Sequence, residues 1–263
     1  MRALYINCGH WFIFGTPPPS SPTDPSHVSL PMNLLGALFS SSIGKKFLVA
    51  LTGLVLIGFV TGHLIGNLQI FLAPEKINGY AHLLESLGEL LWFVRIFLLV
   101  CVVVHIWLAI QLTAANRAAR PLAYGVNHTI RASVASRVMA VSGLVVLAFV
   151  IFHLAHFTLR ISHPEWGRPM FQMANGAVVR DVHTMMVQGF SNLWVSLFYV
   201  LSVGLLSYHL SHGLVSSIQT LGFKNEKWTA QLQRFATAYC WLYFLGNAAI
   251  PLAVLGGFVK LHA

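Results

Sequence analysis

Five apolar runs of about twenty residues or more, almost free of charge, are separated along this chain by short polar stretches. A helix rises about 1.5 Å per residue, so each run is long enough to cross the roughly 30 Å hydrocarbon core of a bilayer. The pattern predicts spans near Phe47–Phe71, Leu91–Ala114, Ala135–Leu159, Phe190–Ser217 and Phe235–Val259. Pro251 and the Gly256–Gly257 pair are expected to bend the fifth. The fold class is an all-α integral membrane protein, a five-transmembrane-helix bundle.

Two of the runs are copies of one another. Residues 50–64, ALTGLVLIGFVTGHL, align without gaps on residues 140–154, AVSGLVVLAFVIFHL, with eight of fifteen positions identical. The alignment sets His63 on His153. An imidazole inside a bilayer is costly unless it meets a polar partner, a water cavity or a metal, so a histidine repeated at matched depth points to a shared ligand.

Composition agrees with the pattern: 56% of the 263 residues are hydrophobic and 9% charged, with a mean hydropathy of +0.71. Cys8, Cys101 and Cys240 form neither a C-x-x-C pair nor a c-type haem attachment motif, so any haem would be held without a covalent link. The net charge of +9 is distributed by topology. Lys45, Lys46, Arg117, Arg120, Arg131, Arg137, Lys224, Lys227 and Arg234 gather on one side of the predicted spans, and Glu75, Glu85, Glu89, Glu165 and Asp181 on the other, together with Lys76, Arg95, Arg160, Arg168, Arg180 and Lys260. The positive-inside rule makes the first side cytoplasmic, with the amino terminus inside and the carboxyl terminus outside. The charge is then an orientation signal in short loops, and no nucleic-acid motif accompanies it. Residues 1–40 are set apart as a Pro/Ser-rich extension expected to be disordered, followed by a five-helix domain over 41–263; a start at Met32 would make residues 1–31 an upstream segment.

Of thirteen histidines, His63, His105, His153, His156, His209 and His212 fall inside spans. His63 lies ~24 Å and His153 ~27 Å from the inner start of their spans, in the outer half. The second and fourth spans run the other way, which puts His105 ~21 Å and His209 roughly 24 to 28 Å from the outer edge, in the inner half. Two histidine pairs, one near each face and drawn from alternate helices, are what two stacked bis-histidine haems require. Gly62, Ala109 and Gly213 stand near the proposed ligands, where a porphyrin edge needs space, although small residues serve helix packing equally well. The repeat selects His153 over His156, whereas spacing favours His209 over His212 only weakly.

With these residues placed, the chain resembles the membrane-anchor cytochrome b subunit of succinate dehydrogenases and fumarate reductases, the single-polypeptide type with five helices and two b haems. The resemblance covers roughly Asn33 to the carboxyl terminus and is carried by SSSIGKKFLVALTGL, TGHLIGNLQIF, NGYAHLLESL, VVVHIWLAIQL, IFHLAH and YHLSHGL. It implies that His63 and His153 hold a distal haem b and that His105 and His209 hold a proximal one, with Ser211, Gly213 and Leu214 favouring His209 over His212. It also implies a quinone or proton role for Glu85 in the first outer loop. Ser207 stands where some fumarate reductases carry a glutamate, so a mechanism that uses that glutamate does not transfer. Lys46 (with Lys45) and Arg137 on the inner side, and Arg95 on the outer, are candidate partners of haem propionates.

The function so implied is a membrane anchor of a bacterial cytoplasmic-membrane complex. It would bind a flavoprotein subunit carrying FAD and an iron–sulfur subunit on the cytoplasmic face. Electrons would pass through proximal and distal haems to quinone, with menaquinone expected. A cytochrome b anchor of a hydrogenase or formate dehydrogenase keeps the haems and changes the partner. A haem-free, proton-coupled transporter is the alternative from another class, but no discontinuous-helix signature or intramembrane carboxylate favours it.

Overall fold

The computed structural model describes residues 34–119 and 138–261. Arg120, Arg131 and Arg137 lie outside the described residues, as does the stretch 1–33. Residues 34–40, assigned by composition to a disordered extension, are helical: α1 covers Leu34–Ser40 and packs on α2, Ser42–Asn67. Ser41 separates the two and caps α2, its side chain accepting from the Gly44 N–H at 3.0 Å. A 3₁₀ turn over Leu68–Phe71 leads to α3, Pro74–Ser86, which starts on a proline whose missing N–H costs nothing at that position. Gly88, at φ 53°, then makes the reversal into α4, Glu89–Ala118, a backbone angle that a side chain would oppose.

Beyond the undescribed connection, α5 covers Met139–His153 and widens directly after the histidine into a π-helical turn, Leu154–Thr158. Arg160 ends it with φ 52°, a strained value for a residue with a side chain. The connection from α5 to the next span is built rather than open. It holds a 3₁₀ turn at Pro164–Gly167, an antiparallel hairpin of β1, Met170–Gln172, with β2, Val178–Arg180, and α6, Val182–Phe190. Helices α7, Leu193–Thr220, and α8, Thr229–Leu255, complete the chain. Pro251 lies inside α8, but Gly256 and Gly257 follow its end, and Gly257 at φ 71° terminates the helix instead of bending it.

Among the described residues five helices, matching the five predicted spans, are long and apolar enough to cross a membrane. Their burial is inverted relative to a protein made for water. Phe93, Ile96, Val100, Val103, Trp107 and Ile110 run along one face of α4 and are all exposed, an apolar stripe that acyl chains would cover. Packing is densest where α7 meets α8, α4 and α7 both lie on α2, and α5 lies on α7. One end of the bundle carries Lys45, Lys46, Arg117, Lys224, Lys227 and Arg234, and is called here the basic end. The other, the capped end, is closed by α3, the hairpin and α6. There the fully buried Asn78 accepts from the Val182 and His183 N–H groups at 2.8 and 2.9 Å and donates to Asp181 at 3.2 Å. Asp181 in turn caps α6 through the Thr184 N–H at 2.9 Å.

Candidate functional site: two imidazole pairs

The repeated segment places its histidines side by side. His63 of α2 and His153 of α5 face each other near the capped end, with ring centroids 5.8 Å apart and planes at 86°. Two imidazoles bound to opposite sides of one metal would stand at roughly this distance, given metal–nitrogen bonds of about 2 Å and half a ring on each side. His63 remains exposed and His153 half-buried although both lie within spans; Phe59 stacks on His63 at 5.6 Å between centroids, and His153 is flanked by Phe149 and Phe157 at 5.9 and 6.0 Å.

His156, one turn beyond His153, is placed differently. It is buried, its Nδ1 lies 3.0 Å from the Tyr199 hydroxyl, and its ring sits against Phe157 and Trp166 at 4.2 and 5.2 Å between centroids. Its polarity is satisfied by α7 and its faces are covered. Tyr199 also approaches His153 Nδ1, at 3.4 Å.

Nearer the basic end, His105 of α4 meets α2 and His209 of α7 meets α5 through side-chain hydrogen bonds. Each is seated on one copy of the repeat. Added Cβ atoms at the aligned glycines Gly53 and Gly143 would lie 3.2 Å from His105 Cε1 and 3.5 Å from His209 Cε1, so both imidazoles rest on bare backbone. The residue before each glycine supplies a hydroxyl. Thr52 Oγ1 is 3.2 Å from His105 Nδ1, and Ser142 Oγ is 3.1 Å from His209 Nδ1. Val49 C=O is a further neighbour of His105 Nδ1, at 3.1 Å. A carbonyl oxygen only accepts, so Nδ1 of His105 carries the proton and Nε2 keeps its lone pair.

Ten residues separate Gly53 from His63, and ten separate Gly143 from His153, so the two imidazole levels are about 15 Å apart along the helices. Each copy of the repeat therefore contributes to both levels, a histidine at one and a hydroxyl–glycine seat at the other. Thr52 and Ser142 were missed as candidates, yet they align with each other in the repeat, two positions after its first alanine. Tyr199 had no comparable signal. Gly62 and Gly213 adjoin open space, since an added Cβ would meet nothing within 4 Å. Ser207, two residues before His209, is buried and its hydroxyl has no partner among the described residues.

The remaining candidates lie at the ends. Glu85 is 3.4 Å from Arg180 Nη1 and lines a capped-end cleft of about 420 Å³ with Trp92, Arg95, Arg160 and Arg180. Arg95 lies over the Trp92 ring at 5.0 Å. Lys46 is exposed at the start of α2, and Arg137 lies outside the described residues. Among the described residues no three or more metal-ligating side chains converge.

The fold is that of a multi-pass helical membrane protein whose spans carry histidines at two levels. Comparison with protein-family models, curated proteins and solved structures finds no match.

Proposed function

We propose that this chain is the di-haem cytochrome b membrane anchor of a succinate:quinone oxidoreductase of the bacterial cytoplasmic membrane. The observation that carries this reading is a duplicated helix that supplies the facing His63 and His153 at one level and, at a second level nearer the basic end, the hydroxyls that meet His105 and His209. His63 and His153 hold one haem b at the capped, outer end, and His105 and His209 hold the other toward the basic, cytoplasmic end. A haem held by two such histidines would supply one-electron transfer between an iron–sulfur partner and quinone in place of oxygen chemistry.

The rest is done by the chain itself. Apolar helices exclude water from the imidazole levels. The basic end, with Lys45, Lys46, Lys224 and Lys227, meets the iron–sulfur and flavoprotein (FAD) subunits, and Lys46 would be available there to pair with haem propionates. Arg95 occupies the same role at the capped end. The cleft beside it takes the quinone, menaquinone by expectation. Glu85 accepts and releases protons at its rim, its carboxylate oriented by Arg180.

A reduced-minus-oxidised spectrum with haem extraction on the complex purified from membranes tests the reading. The expected result is two non-covalent b haems per chain, reducible by succinate. Two haems without a flavoprotein partner would move the chain to a hydrogenase or formate dehydrogenase anchor. Absence of haem would leave a proton-conducting transporter.

A further inference from the structure

Both inner histidines are approached at Nδ1 by a hydroxyl from the same position of the repeat, and both hydroxyls have already committed their own protons. Thr52 Oγ1 donates to the Leu48 carbonyl at 2.7 Å, and Ser142 Oγ donates to the Met139 carbonyl at 3.1 Å. At His105 the Val49 carbonyl requires Nδ1–H, so the Thr52 oxygen accepts from it; Ser142, with its proton on the Met139 carbonyl, is placed to accept from His209 Nδ1 in the same way. Placing the hydrogen bond there fixes the tautomer and the ring plane, and it raises the electron density available at Nε2.

We propose that Thr52 and Ser142 are paired positioning residues for the inner iron site. They hold His105 and His209 in the Nδ1–H tautomer and lower the reduction potential of the haem bound between them. The inference rests on the di-haem reading and deepens it, because it assigns to the repeat a second task besides supplying His63 and His153. A ligand that is a better electron donor stabilises the ferric state, so removing the acceptor raises the potential. The two sites are unequal. His105 Nδ1 retains the Val49 carbonyl at 3.1 Å when the Thr52 hydroxyl is lost, whereas the Ser142 hydroxyl is the one hydrogen-bond partner of His209 Nδ1 found among the described residues.

The test is a redox titration, followed optically and by electron paramagnetic resonance, of the complex with its partner subunits. Ser142→Ala is expected to raise the midpoint of the inner haem, and Thr52→Val to raise it less. Ser142→Thr and Thr52→Ser restore the native value, and the outer haem stays unchanged in all four. Selective loss of the inner haem in S142A, with retention in S142T, supports the proposal equally. An unchanged midpoint and resonance signal of the inner haem in both S142A and T52V would overturn it while leaving the di-haem reading intact. Parallel loss of both haems that S142T does not rescue would also overturn it, by assigning the hydroxyl to packing. A native complex without haem would sink the di-haem reading and this inference together.

Discussion

His153 and His156 are separated by a single turn, yet their surroundings give them different chemistry. His156 is buried, bonded to Tyr199 and enclosed by Phe157 and Trp166, so it has no face left for a ligand. His153 is half-buried and faces His63. In the proposed anchor, His153→Ala therefore removes the outer haem and leaves the inner one, halving the extracted haem per chain. Retention of both haem signals in that variant would refute the assignment. His153 was selected from the sequence because the repeat aligns it with His63. The exclusion of His156 by burial was not legible there, since Tyr199 and Trp166 come from other segments.

At the scale of elements, the capped end departs most from what the pattern of apolar runs suggests. Residues that read as connecting loops form α3, the hairpin and α6, and His82 and His183 sit on helices. One side chain organises this layer. Asn78 satisfies two backbone N–H groups at the start of α6 and bonds the Asp181 that caps it. Asn78→Ala leaves those groups unpaired, at a cost of about 3 kcal/mol. The expected result is a lower unfolding temperature in detergent and earlier proteolysis between residues 160 and 192, with the His105 level unaffected. An unchanged melting temperature would show that water replaces the amide without loss. Periodicity did not reveal this layer because its helices are short and its stabilising contacts join residues about a hundred positions apart.

At the scale of the molecule, the two ends of the bundle differ in charge and in cover, which makes orientation testable. Ser162 is exposed at the capped end and Lys227 at the basic end, while Cys101 and Cys240 are buried. In intact cells a membrane-impermeant thiol reagent should modify Ser162→Cys and spare Lys227→Cys, which becomes reactive only after the membrane is opened. The reverse pattern would invert the topology and place the proposed iron–sulfur contact on the wrong side.

The sequence by itself determined the five spans, the duplication, the depth of the histidines and the asymmetry of charge. These are local or additive properties: apolar length, identity at a fixed offset, and position along a helix of known rise. Only the tertiary structure decided that His63 meets His153, that His156 is enclosed, and that Thr52 and Ser142 turn their hydroxyls toward histidines 53 and 67 residues away. Those facts depend on which helix faces which and at what rotation. That choice is made by close packing across the whole bundle, and no single segment encodes it.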